Sequence, residues 1–484
     1  MKFETILSHC TEVLEITKKS HIPTDELLGS YFRQKKYIGS SERKLISGIV
    51  FMHLRFLGFS KYVFDKLKKE FIDKNTNTNS LDLLITLFIN IELYPQNIFS
   101  IAKSIEKHYS VENGILFMLN FINDQIPNFF NQLQSIISEI DIIHKVLLKN
   151  KINNFFENKS LIEQVSARYS IPEFILESWV RYYPPQGINP FELAESLLFP
   201  SELTVRVNKI GFTRSKVIDL LREAKIEASE TSYSPFGIKI PERVNLLQTD
   251  IYKNGIVDIQ DEGSQLVCLA CNPKPNDKIL DACAGAGGKS LFLAFLQNDK
   301  GKIIANDVVV PKLIELNRRA KRAGFSSITT HHLSGKNLKR SSLLRPNFFD
   351  IVLVDAPCSG IGTSRRSPIH KWWLTPRKLK RLAKKQLELL SFYSQFVRPK
   401  GYLVYSTCSL MPEENIEVVE KFLKIHHSFI PVPLSESFQK FGTELPLLQK
   451  DSHTITLLPS VHKTDGFFIA KFQKATRSVN HFQQ

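Results

Sequence analysis

Two stretches of the chain run as apolar strands into a thiol. "GYLVYSTCSL" (401–410) ends on Thr407-Cys408-Ser409, and "FFDIVLVDAPCSG" (348–360) ends on Asp355-Ala356-Pro357-Cys358. A thiolate is a nucleophile and a carboxylate can move a proton, so these residue types could do covalent chemistry together. A single cysteine after an apolar strand is more often a small buried hydrophobe. Two of them, one led by Asp-Ala-Pro and the other followed by Pro412-Glu413-Glu414 opening a helix, point instead to a working pair. A helix start near Cys408 would favour its thiolate. Cys268 and Cys271 form a C-x-x-C in "SQLVCLACNP", but that run is apolar and helical, with no second pair and no histidine spacing. A zinc site is not expected there.

A third stretch, "KILDACAGAGGKSLFLAF" (278–295), sets Gly285, Gly287 and Gly288 between a predicted strand and a predicted helix. Glycines at such a turn let backbone approach a ligand closely. A phosphate loop fails by one residue, because Cys283 stands where the first glycine is required. A dinucleotide fingerprint fails at Ser290. S-adenosylmethionine is the remaining candidate, with Lys289 able to face its carboxylate. Asp307, which ends the next predicted strand "KIIANDV", has the position of a ribose-binding acid. A glycine turn beside a capping Asp remains the plain alternative.

These residues need a scaffold, and the periodicity supplies one. Residues 1–150 carry 3.6-period apolar patterns such as "SERKLISGIVFMHLRFLGF" (41–59) and predict an all-helical domain. "DKNTNTNSLD" (73–82) predicts a loop between helices, and "LDLLITLFINIELY" (81–94) a buried helix. After the punctuation at "YYPPQGINP" (182–190), "LTVRVNKI", "SKVIDLLREAKI" and "FGIKI" predict a small α+β unit over 160–255. From 256 to 475, strands and helices alternate, which argues for an α/β fold with a mainly parallel sheet.

Lys+Arg 64 against Asp+Glu 48 leaves a net charge of +16, the balance of a protein with a polyanionic partner. Six cysteines in 484 residues make no disulfide framework, so a reducing, cytoplasmic setting is expected. The start "MKFETILSHC" has neither the apolar core of a secretory signal nor the arginines of a transit peptide. No run of eighteen apolar residues predicts a membrane span. "TSRRSPIHKWWLTPRKLKRLAKKQ" (363–386) interleaves cations with Trp372 and Trp373 directly after the Cys358 motif. Arg365 and Arg366 are the expected nucleic-acid contacts, with at least one tryptophan in the core; "NRRAKR" (317–322) reads as an exposed helix face.

In order and spacing, "DACAGAGGKS", "DVVVPKLIELNRRAKRAG", "VDAPCSGIGTSRRSP", "YSTCSLMPEENIEVV" and "TDGFFIAKF" resemble the Nop/Sun-type RNA cytosine carbon-5 methyltransferases. "IQDEGSQLV" (259–267) resembles the opening motif of their catalytic domain, so the likeness spans roughly 160–475. "RKLISGIVFMHLR" resembles, more faintly, the NusB-like RNA-binding domain of the bacterial small-subunit ribosomal RNA members. The resemblance implies a Rossmann-like catalytic domain (256–475), an RRM-like subdomain (160–255) and a NusB-like helical domain (1–150). It implies that Cys408 adds to carbon 6 of cytosine, Cys358 assists release, and Asp355 serves N3 and lies near the cofactor. Cys283, Ala284, Gly285, Ala286, Gly287, Gly288 and Lys289 would cradle the methionine end of S-adenosylmethionine, and Asp307 the ribose.

The chain departs from the family pattern at Gly285-Ala286 for Ala-Pro, at Ser334 for an acid, and at His370 for an acid before "KWW". Ribosomal RNA is the expected substrate, acted on by a monomer with neither membrane nor structural metal. Transfer RNA, a DNA-type enzyme using Cys358 as nucleophile, and a non-catalytic ribosome-assembly factor are the alternatives.

Overall fold

The computed structural model describes residues 1–20, 22–70, 81–125, 133–139, 159–241, 244–333 and 343–476. Ser334 and most of the 73–82 loop fall outside these residues. The chain forms two compact units, 1–200 with 363–375, and 201–362 with 376–484.

In the first unit, helices run over Phe3–Lys19, Thr24–Gln34, Ser40–Glu70, Leu81–Leu93, Pro95–Tyr109 and Gly114–Gln125. The expected buried helix is Leu81–Leu93; Leu83, Ile85, Leu87 and Ile89 on it are sealed from solvent. All-round burial explains why it is apolar on every face. Residues 159–200 continue as helices Lys159–Arg168, Glu173–Tyr182 and Pro190–Ser196. The prolines of the "YYPPQGINP" punctuation form a single 3-10 turn, Pro184–Gln186, between two of these helices. Asn189 then caps the next helix by accepting from Phe191 N and Glu192 N.

The second unit holds two sheets. The strands β1 (Leu203–Val207), β2 (Ser229–Glu230), β3 (Gly237–Ile240) and β4 (Val257–Ile259) form an antiparallel sheet in the order β2-β3-β1-β4. Helix Arg214–Glu223 packs Val217 and Leu221 onto it, which gives the expected small α+β body.

The larger sheet contains β5 (Lys278–Asp281), β6 (Lys302–Asp307), β7 (Ile328–His332), β8 (Phe349–Asp355), β9 (Val397–Thr407), β10 (Phe429–Pro431), β11 (Thr454–Leu457) and β12 (Phe467–Lys474). Its order is β10-β12-β9-β8-β5-β6-β7, with β11 pairing to β12. The strands β5 to β9 are parallel, and β12 joins β9 antiparallel. Helices cover both faces, so the central strands read as unbroken apolar runs such as Ile351-Val352-Leu353-Val354. The chain moves outward one way through β6 and β7 and the other way through β8 and β9. The order reverses between β5 and β8, and the crevice beyond their carboxyl ends is where such sheets bind ligands.

Candidate active site

Every strand that borders this crevice ends in a residue with chemistry. Across β8 and β9, Asp355 pairs in register with Ser406, whose Oγ donates to Asp355 Oδ1 at 2.6 Å. Lys289 Nζ, from the first turn of the helix after β5, donates to Asp355 Oδ2 at 2.6 Å. Burial works against the Lys289 charge, yet the adjoining Asp355 carboxylate prevails and raises its pKa above the ordinary lysine value. Lys289 also lies 5.3 Å over the Phe467 ring. Asp355 is therefore an oriented, charge-paired carboxylate at the strand end.

Beyond these strand ends the two thiols meet, with Cys358 Sγ and Cys408 Sγ 3.3 Å apart. Both are half-buried. Sharing its proton with the Cys408 sulfur, and then burial, raise the Cys358 pKa well above that of a free thiol.

Backbone bonds hold the two loops together: Ala356 N donates to Ser406 O and Gly362 N to Cys408 O, both at 2.9 Å. Gly362 in turn touches the backbone of Gly466, where a Cβ would come 2.1 Å from the Gly466 oxygen, so only glycine fits. Underneath sits Glu414, fully buried. It accepts from Ser359 N at 2.8 Å, Ser359 Oγ at 2.5 Å, Gln386 Nε2 at 2.9 Å and Ser409 Oγ. One carboxylate thus ties the residue after each cysteine to a common point. Glu414 lies in the 3-10 turn Pro412–Glu414, and the helix itself begins only at Ile416. The expected helix start beside Cys408 is replaced by this buried acid. The turn is bent by Asn415, which bonds Thr407 Oγ1 and Ser409 O.

The glycine turn lies at the carboxyl end of β5. Gly287 has φ +87°, and a Cβ there would press within 2.4 Å of Leu316. Asp307, ending β6, accepts from Gly285 N and Val309 N at 2.8 Å each. Its carboxylate is thereby fixed at the rim of the loop. Ser290 Oγ donates at 2.6 Å to Asp281 Oδ2. Burial pushes Asp281 up to about 7 and Cys283 upward as well. The open backbone at Gly285, the acid at the next strand end and the buried floor fit a nucleoside carrying an amino-acid tail.

A group that the sequence reading missed supports this loop from behind. Asp258 of β4, almost wholly buried, is contacted by Arg319 at 2.5 Å, Arg322 at 3.1 Å and Arg206 at 3.4 Å. Arg319 Nη1 continues to Ala286 O at 2.6 Å, and Arg206 Nη2 to Gly288 O at 3.3 Å. Arg319 and Arg322 of "NRRAKR" are thus half-buried and engaged, while Asn317, Arg318 and Lys321 keep the exposed face. Only its charge run was visible in the sequence; Asp258 lies 61 residues from Arg319.

Other expected residues fall elsewhere. Arg365 Nη2 donates to Pro200 O at 3.1 Å and Nε to Phe199 O at 3.4 Å, while Arg366 is half-buried. Trp372 and Trp373 pack on the core of the helical unit. His370 rests against Trp373, ring centroids 5.6 Å apart. Cys268 and Cys271 are sealed in helix Glu262–Cys271, facing the carbonyls one turn back. Among the described residues no cluster has the makings of a metal site.

Comparison with known proteins agrees with this geometry. The family described as 16S rRNA methyltransferase RsmB/F matches residues 268–473, and its ferredoxin-like domain matches residues 171–247. The probable ribosomal RNA small subunit methyltransferase B of Bacillus subtilis is 31% identical over 70% of this chain and 74% of its own length. The 28S rRNA (cytosine-C(5))-methyltransferase of Mus musculus is 30% identical over 66% of this chain and 41% of its own. The crystal structure of PH0851 covers 97% of this chain and 98% of its own, with a TM-score of 0.69 and 22% identity, a likeness of fold.

Proposed function

The chain belongs to the Nop/Sun, RsmB/F-type family of S-adenosylmethionine-dependent RNA cytosine carbon-5 methyltransferases, and from that premise we propose that it forms 5-methylcytidine in ribosomal RNA through a transient bond from Cys408 to the base. The observation that carries this reading is the 3.3 Å approach of the two sulfurs beside an oriented carboxylate. S-adenosylmethionine, when bound, supplies an electrophilic methyl group. Cys283 to Lys289 and Asp307 hold it at the crevice.

The remaining steps belong to the chain. Cys408 adds as a thiolate to carbon 6, forming an S–C bond and pushing electron density to carbon 5 and N3. Asp355, with Lys289 on one oxygen and Ser406 on the other, steadies the charge and proton at N3. After carbon 5 gains its methyl group, water takes the carbon-5 proton, the C–H electrons restore the C5=C6 double bond, and the S–C bond breaks with Cys408 leaving as a thiolate. Cys358, its sulfur 3.3 Å from that of Cys408, serves that release by hydrogen-bonding the departing thiolate. The helical residues of 1–150 we read as a NusB-like RNA-binding domain, with Arg366 at the RNA and Arg365 ordering its own loop.

Incubation of purified protein with ribosomal RNA and labelled S-adenosylmethionine tests the assignment. Cys408→Ala should transfer no methyl group. Cys358→Ala should accumulate an RNA–protein adduct that survives denaturation. Transfer by Cys408→Ala, together with loss of transfer and no adduct in Cys358→Ala, would reverse the two roles.

A further inference from the structure

Helix Pro376–Ser394 turns Leu379, Gln386, Leu390 and Tyr393 inward. Its outward side carries Arg377, Lys380, Arg381, Lys384 and Lys385, all exposed. Their spacing of i, i+3, i+4, i+7 and i+8 puts them in one stripe about 12 Å long. Among the described residues none of the five is paired with a carboxylate, and the one acid on the helix, Glu388, ends the stripe one turn past Lys384. Like charges at i, i+4 repel, and a single acid, Glu388 beside Lys384 and Lys385, faces five cations, so the stripe costs the helix stability.

The stripe is also anchored to the site. Gln386, adjoining Lys385, donates to Pro357 O at 3.0 Å and to Glu414 at 2.9 Å, the two groups that hold the Cys358 loop. Lys385 is near enough for its charge to act on the Cys283 thiol of the glycine turn. Tyr393, one face further along, bonds Asn306 beneath that turn at 2.9 Å. Arg365, one of the two cations the sequence favoured, is committed to the carbonyls of Phe199 and Pro200.

We propose that Arg377, Lys380, Arg381, Lys384 and Lys385 form a track for the sugar–phosphate backbone of the substrate RNA, leading the strand to the two thiols. The track rests on the reading of the protein as an RNA methyltransferase and names the surface by which RNA arrives. It is indifferent to base identity, because ammonium and guanidinium groups on phosphate read charge and not sequence.

The test compares the full chain with the triple variant Arg381→Gln/Lys384→Gln/Lys385→Gln and with a control of equal charge loss, Lys300→Gln/Lys312→Gln/Lys321→Gln, at exposed sites elsewhere. Binding of single-stranded RNA is measured across a salt series by fluorescence anisotropy. The stripe variant should bind roughly tenfold or more weakly near physiological salt, equally for unrelated sequences. Its plot of log K against log salt should be flatter by about two, at about 0.7 per lost phosphate contact. S-adenosylmethionine affinity and melting temperature should match the parent. Equal losses in both triples, or no RNA binding by the parent, would overturn the track. RNA binding through the stripe with no methyl transfer by the parent would instead overturn the enzymatic reading and leave the track standing.

Discussion

Glu414 shows how much of the site rests on residues that never touch a base. Its carboxylate gathers donors from Ser359, Ser409 and Gln386, so the loops bearing Cys358 and Cys408 share one buried anchor. Glu414→Ala would strand those donors in the interior, at a cost of about 3 kcal/mol for a broken buried charged network. A shift of the sulfurs by an ångström would lower transfer on the order of a hundredfold. Urea unfolding and single-turnover methyl transfer measure the two effects; unchanged transfer would release Glu414 from this role. Asp281 offers a second residue-scale test, through pH. Burial raises its folded pKa from an ordinary 3.8 to about 7, so the folded state holds the proton that the unfolded state gives up. Stability contributed at low pH is therefore lost as pH rises between those values, by up to about 1.4 kcal/mol per pH unit. Asp281→Asn should flatten that slope in urea titrations followed by circular dichroism from pH 5 to 8. Parallel slopes for parent and variant would mean that Asp281 is ionised in the fold.

At the scale of elements, the glycine turn carries Gly285-Ala286, with Gly285 at φ +55°, and two arginines brace it from outside. Arg319 pins Ala286 O while held by Asp258, and Arg206 reaches Gly288 O from β1. Arg319→Ala should raise the dissociation constant for S-adenosylmethionine roughly tenfold, the worth of one strong charge-assisted bond, and leave turnover at saturating cofactor near the parent value. A fall in turnover with unchanged affinity would contradict it. The same element shows what the sequence could reveal. The strand ends, the glycine turn, Asp307 and the two thiols were legible because each is written in consecutive residues whose period and turn chemistry are local. Asp258 and its arginines were not, because their partners stand 52 to 64 residues apart and meet only when β4 docks beside the turn. The antiparallel entry of β12 beside β9 was equally hidden, since an apolar run such as "FFIAKF" fits either direction.

At the scale of the whole molecule, residues 363–375 are the least expected feature: they lie in sequence within the catalytic alternation yet fold with the helical unit. Ile369 joins the helical core, Trp372 packs against Gly58, and Lys371 donates to Arg55 O at 3.0 Å. The covalent path from the Cys358 loop therefore enters the helical unit directly. Lys371 makes this entry measurable. Burial, and then the Arg55 charge, lower its pKa from 10.5 to about 7, so the unfolded chain binds a proton there that the folded chain does not. The helical unit should gain stability as pH rises between those two values. Lys371→Met removes the penalty and keeps the side-chain volume, so it should stabilise the unit near neutral pH, with the advantage gone by about pH 10. All three tryptophans, Trp179, Trp372 and Trp373, belong to this unit, so tryptophan fluorescence follows its unfolding separately from the catalytic sheet. A Lys371→Met shift that is the same at pH 7 and pH 10 would mean that the amine is charged in the fold. A shift in circular dichroism without one in tryptophan fluorescence would place residues 363–375 outside the helical unit's cooperative structure.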